Sequence, residues 1–411
     1  MSKWIFCGRA CALFVLLATT AITLPAQGFR MVHSFNGADG SNSWGQMIQG
    51  ADGNFYGTTQ SGGNNTCDMG CGTVFKITPG GTLTTLHSFT DSPDGSLPFG
   101  GLVQAANGDL YGTTLGGGTL NVNCAPFRAT GCGTVFKITP GGTLTILHKF
   151  KASDGQGPGA QLLLANDKNY YGTTAGGAQF GGGTAFKMTP SGELTTLHVF
   201  AGLEGYSPTA ALIQARDGNL YGTTFSGGVN AVGNVFKMTL NGTVTSLHAF
   251  DNTNGDGAYP YAGLIQGTDG AFYGTTETGG TYLYYGSVYK ITAAGAVTIL
   301  HSFNVTDGDV PTANLIQGYN GDFYGTTPYG GTANFGTIFR ITPSGALITL
   351  HSFDSQHGSY PYGALVKATD GKFYAATYSG GVGTCQFGCG TVFSLDVRVV
   401  RGSAPVDREQ P

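Results

Sequence analysis

The tetrapeptide Tyr-Gly-Thr-Thr recurs along this chain at a nearly fixed interval, and nothing else in the sequence constrains the fold as tightly. Its tyrosine stands at Tyr56, Tyr111, Tyr171, Tyr221, Tyr273, Tyr324 and, degraded to Tyr-Ala-Ala-Thr, Tyr374. The spacings are 55, 60, 50, 52, 51 and 50 residues. Such a period belongs to propellers, solenoids and arrays, in which each repeat is one supersecondary unit. It overrides the two or three ordinary domains that 411 residues would suggest. Sparse charge (10%), 71 Gly and 46 Tyr plus Phe describe an all-β chain with many tight connections.

The fourth repeat carries no insertion and reads as four strands, A to D. Ala211–Gln214 is a short apolar run, and Asp217-Gly218 is a hairpin signal. Leu220–Thr224 is strand B, Asn234–Thr239 strand C, and Val244–Phe250, after Asn241-Gly242, strand D. Four short antiparallel strands per unit fit a propeller blade better than a solenoid coil. The chain ends sharpen this. Met31-Val32-His33-Ser34-Phe35 is a strand D without A, B and C, whereas the last repeat has no strand D. Each orphan completes the other and removes two sheet edges. The expected fold is a seven-bladed β-propeller of four-stranded antiparallel blades over 27–397, closed by its N-terminal strand. An open β-solenoid is the alternative.

The strings Leu-Ile-Gln-x-x-Asp-Gly-x-Phe-Tyr-Gly-Thr-Thr, Gly-Thr-Val-Phe-Lys-Ile-Thr-Pro-x-Gly and Leu-His-Ser-Phe recur together over residues 31–396. They resemble the GloVer (Gloeobacter/Verrucomicrobia-type) tandem-repeat family of bacterial proteins. The resemblance implies a secreted or surface protein, commonly with a C-terminal anchor, and carries no general biochemical function. Residues 398–411 form a short polar tail, expected to be disordered, without a hydrophobic sorting helix, so free secretion is expected here.

Residues 1–26 read as a secretory signal peptide: Lys3 and Arg9, an uncharged apolar run from Ala10 to Leu24, then Leu24-Pro25-Ala26. An uncleaved anchor helix is the alternative, although the run is short for a span. The expected protein is extracellular or periplasmic and monomeric, with no membrane span after cleavage. With 23 acidic residues against 19 basic ones and no basic cluster, a nucleic-acid partner is not expected.

Several polar residues repeat once per blade. Seven of the eight histidines, His33, His87, His148, His198, His248, His301 and His351, fall in strand D. Outermost strands spread them around the rim, so a structural hydrogen bond is expected, to a strand-B Thr for example. The strand-C cations Lys76, Lys137, Lys187, Lys237, Lys290 and Arg340 should reach solvent along apolar stems. Gln49, Gln104, Gln214, Gln266 and Gln317 either line the channel or bond at strand ends. Turn geometry accounts for Asp52, Asp217, Asp269 and Asp370. The loop acids Asp39, Asp94, Asp154, Glu204, Asp256 and Asp307 lack calcium-ligand spacing and read as turn caps.

Function in a ring of like blades falls to what breaks the symmetry. The B–C and D–A loops leave on one face. Three longer B–C loops alone hold cysteine, as Cys67/Cys71, Cys124/Cys132 and Cys385/Cys389. In an exported protein these read as local disulfides. The rival is a tetrathiolate metal site from the first and third pairs. Tyr259, Tyr261, Tyr360 and Tyr362 lie in D–A loops, Tyr282, Tyr284, Tyr285 and Tyr329 in B–C loops. They suit sugar rings or a protein partner, or else pack on neighbouring loops. No catalytic constellation, metal site or cofactor motif stands out. The lead expectation is a non-enzymatic extracellular binding module for polysaccharide or a surface protein. A passive matrix protein and a metal-dependent lactonase-like or esterase-like propeller are the alternatives.

Overall fold

The computed structural model describes residues 28–63, 67–119, 124, 131–253 and 255–397. The expected leader, 1–26, and tail, 398–411, lie outside them. Seven four-stranded antiparallel sheets form the blades, with no α-helix among the described residues. Blade 4 runs Ile213–Gln214, Leu220–Thr224, Asn234–Met238 and Val244–Ala249. Strand A is shorter than its apolar run suggests, because Ala210 and Ala211 form part of an axial cavity wall.

The N-terminal strand Gly28–Ser34 pairs with Thr391–Asp396 and becomes the fourth strand of blade 7. Ring closure follows from packing as well as pairing. Tyr374 of blade 7 meets Phe55 of blade 1 with ring centroids 4.2 Å apart. The same contact joins Tyr221 to Phe272 and Tyr273 to Phe323 in successive blades. Each such aromatic, taken out of water, contributes roughly 1.5–3 kcal/mol. Gly222 lies opposite Phe236, and an added Cβ would stand 2.8 Å from its ring. That close approach explains the glycine of the repeated tetrapeptide.

The repeated polar groups are structural, with partners the sequence did not reveal. Six of the seven strand-D histidines pair with the loop acids, not with strand-B threonines: His33 Nε2 lies 3.0 Å from Asp39, His87 2.8 Å from Asp94 and His198 2.8 Å from Glu204. The same acids also cap their loops, as Asp39 does by accepting from Asn36 N. Strand-B threonines instead bond strand C or the next blade: Thr327 and Thr337 hydroxyls are 2.8 Å apart, and Thr223 donates to Ala262 O. The turn aspartates do more than shape turns. Asp217 accepts from Tyr221 Oη at 2.9 Å and from Lys237 at 3.1 Å. The glutamines bond at strand ends: Gln266 accepts from Arg216 N of the preceding blade and donates to Gly270 O.

Candidate functional site

Every D–A loop reaches the ring axis through one backbone device. Its key residue is left-handed, with φ between 54° and 65°: Asn42, Leu97, Gly157, Ser207, Tyr259, Val310 and Tyr360. The N–H of this residue donates to the preceding blade, as Tyr259 does to Val232 O at 2.8 Å. In six of the loops its carbonyl accepts from a residue just after strand B, as Tyr259 O does from Glu277 N at 3.0 Å; in blade 6 that residue is Pro328, which has no N–H to donate. Holding a bulky or β-branched residue left-handed costs about 1–2 kcal/mol. Two hydrogen bonds at about 1 kcal/mol each offset that in six loops, and one does so at Val310. The framework therefore imposes the conformation whatever side chain is carried.

The residue two places on lines the axis, and the seven copies are Trp44, Phe99, Gly159, Thr209, Tyr261, Thr312 and Tyr362. Beside them sit the residues following strand B: Gln60, Leu115, Ala175, Phe225, Glu277, Pro328 and Tyr378. Where the framework repeats almost unchanged, these three positions change from blade to blade. Trp44 lies flat against Tyr362 (3.7 Å, 9°) and Phe99 (4.5 Å, 29°), with Tyr378 edge-on at 5.7 Å. Across the ring, Tyr261 of blade 5 is 6.4 Å from Trp44. The indole thus roofs the channel. Beneath it, the cavity holds only about 80 Å³, room for a few waters.

The eight tyrosines singled out from sequence do not form one site. Tyr329 and Tyr362 share a 2.8 Å hydrogen bond, and Tyr360 packs 5.3 Å from Tyr329. Tyr259 and Tyr261 pack on Phe225 at 5.2 and 5.8 Å. Tyr285 packs against the core between blades 5 and 6. Only Tyr282 and Tyr284 stand out into solvent, at 52% and 73% exposure. Sequence reasoning missed Trp44, Phe99 and Tyr378. Aligning the D–A loops would have found Phe99 after Pro98; in blade 1 the proline is replaced by Ser43, which hides Trp44.

The axial aromatics are electrostatically quiet. Burial, then the hydrogen bond with Tyr329, pushes the Tyr362 phenol up. Burial and the nearby Glu277 charge do the same to Tyr261. Burial also raises the Glu277 carboxyl. Among the described residues no group of three or more His, Cys, Asp or Glu is placed to hold a metal ion. All six loop cysteines are joined as the expected pairs, Cys67–Cys71, Cys124–Cys132 and Cys385–Cys389, which removes the tetrathiolate alternative.

The two faces of the ring differ in chemistry. Exposed Met69, Phe180, Leu203, Tyr206, Val229, Tyr282, Leu283, Tyr284, Val305, Val382 and Phe387 all lie in B–C or D–A loops; among the described residues only Tyr319 and Ile348 lie elsewhere. Twelve carboxylates sit on this loop face, Asp39, Asp68, Asp91, Asp94, Asp154, Glu204, Asp251, Asp256, Glu277, Asp307, Asp309 and Asp354. Lys149 and Lys151 are its only cations among the described residues. An anionic polymer would be repelled from such a surface.

The Gloeobacter/Verrucomicrobia repeat model matches residues 19–130, 124–266 and 252–401. The chain belongs to this repeat family. No curated protein matches it. Among solved structures, this Gloeobacter/Verrucomicrobia repeat protein is similar to the extracellular domain of a candidate hybrid two component system from B. thetaiotaomicron. The TM-score is 0.60 at 12% identity, over 90% of this chain and 39% of that one, so the chain spans well under half of that protein. It is also similar to a candidate 6-phosphogluconolactonase from Bacteroides uniformis, at TM-score 0.51 and 15% identity, over 78% and 88% of the two chains. At these identities the likeness shows the propeller fold, on which many functions are grafted. The three disulfides suit an oxidising compartment. No helix among the described residues is long and apolar enough to cross a membrane.

Proposed function

We propose that this protein is a non-enzymatic extracellular binding module that takes polysaccharide on its loop face. One observation carries the reading. The exposed apolar side chains gather on the loop face, among them Tyr282 and Tyr284 at 52% and 73% exposure. A surface protein is the second reading, supported by the exposed aliphatic Leu203, Val229 and Val382 around the same face.

A glycan array and a set of purified cell-surface proteins, probed with the protein, test both readings. Val229→Glu with Val382→Glu should weaken capture, whereas Tyr319→Glu on the opposite face should leave it unchanged. Equal loss from both sets, or from neither, would sink the assignment to the loop face. Capture confined to the proteins would replace polysaccharide with the second reading.

A further inference from the structure

A wide groove at the rim between blades 4 and 5, about 770 Å³ in volume, belongs to none of the axial contacts. Its walls are His248 and Asp256 on one side and Thr281, Tyr282 and His301 on the other, over a floor that includes Ile299. The sequence makes this junction different from the other five His–acid junctions. His248 and its acid are eight residues apart, whereas the other strand-D pairs are separated by six or seven. The longer connection sits opposite the B–C loop that carries Tyr282, Leu283 and Tyr284.

We infer that this groove binds a neutral glycan segment. The groove is open to solvent along the rim and has room for a short glycan segment. Tyr282, half exposed at its wall, offers a flat apolar face with a polar tip, the pairing that a sugar ring's C–H face and hydroxyls need. Thr281 N donates to Ser302 Oγ at 3.0 Å, which fixes the loop beside the platform. The Asp256 carboxylate, 3.0 Å from His248 Nε2, has acceptor capacity for sugar hydroxyls. The acidic loop face turns away uronic and sulfated sugars. The inference rests on the loop-face reading above, because it names one ligand subsite within it.

Isothermal titration with soluble neutral oligosaccharides (gluco-, manno- and xylo-series) and an oligogalacturonate control tests it. The expected result is binding of at least one neutral series and not of the uronate. Tyr282→Ala should weaken it by about tenfold or more, and Thr281→Trp, which fills the groove, should abolish it. Trp44, the only tryptophan between residues 28 and 397, should keep its emission unchanged on binding. Binding that survives both substitutions, or that shifts Trp44 emission, would overturn the groove and leave the loop-face reading standing. Uronate bound as tightly as the neutral series would overturn the sugar class. If no oligosaccharide binds, the groove assignment falls, and capture on the array or on surface proteins still judges the loop face by itself.

Discussion

The imidazole of His351 lies flat on the ring of Phe29, with centroids 3.8 Å apart and planes 7° from parallel. His351 belongs to blade 6 and Phe29 to the N-terminal strand that completes blade 7, so this pair packs the closing strand against the preceding blade. Unlike the other six strand-D histidines, His351 has no carboxylate partner. The acid position in its loop is held by His357, which pairs with Asp354 instead. Its Nε2 is buried without a partner, and burial lowers its pKa to about 4.

A histidine kept neutral by folding makes the protein acid-sensitive. In the unfolded chain the group takes a proton near pH 6.5, in the fold only near 4. Stability is therefore fully present above pH 6.5 and falls as pH drops toward 4, by about 2–3 kcal/mol. Thermal unfolding of wild type and His351→Leu across this window checks it. The gap between their midpoints should change with pH, and parallel curves would refute the assignment.

Asp217 should show a different window. Burial pushes its carboxyl up, yet hydrogen bonds from Asn219, Lys237 and Tyr221 outweigh it and hold the pKa at about 2. Its contribution is present above pH 4 and lost as pH falls through 2. The group is well exposed, so Asp217→Asn should cost less than about 1 kcal/mol at neutral pH. Denaturant unfolding of the variant gives the value.

Tyr289 stands where the other blades carry Phe75, Phe136, Phe186, Phe236, Phe339 and Phe393. Its hydroxyl is buried and has no hydrogen-bond partner. Tyr289→Phe should stabilise the protein by about 1 kcal/mol, because an unsatisfied buried hydroxyl is removed without changing the ring. A rise in the urea midpoint at constant slope is the expected readout.

Trp44 reports on the roof of the channel. Removing one stacking ring with Tyr362→Ala should expose the indole, red-shift its emission and increase quenching by acrylamide. The loss of packing should also cost about 1–3 kcal/mol. Unchanged emission would mean that the stack does not shield the indole.

Much of the fold is legible in the sequence because blades are local objects. Asp217-Gly218 and Asn241-Gly242 mark hairpins, apolar alternation marks strands, and the orphan strand D at 31–35 with a last repeat that lacks one announces their pairing. The site was legible only in part. Tyr261, Tyr360 and Tyr362 were found as loop aromatics, but their partners Trp44, Phe99 and Tyr378 were not.

The sequence by itself determined the seven repeats and their four strands, matters of period and turn chemistry, and favoured the closure and the three disulfide pairs that the structure then established. Only the tertiary structure decided that Trp44 meets Tyr362 across 318 residues of chain. It alone gave six strand-D histidines their loop acids and left His351 without one. Those contacts depend on how neighbouring blades tilt and how the ring closes, and no local rule of periodicity encodes that geometry.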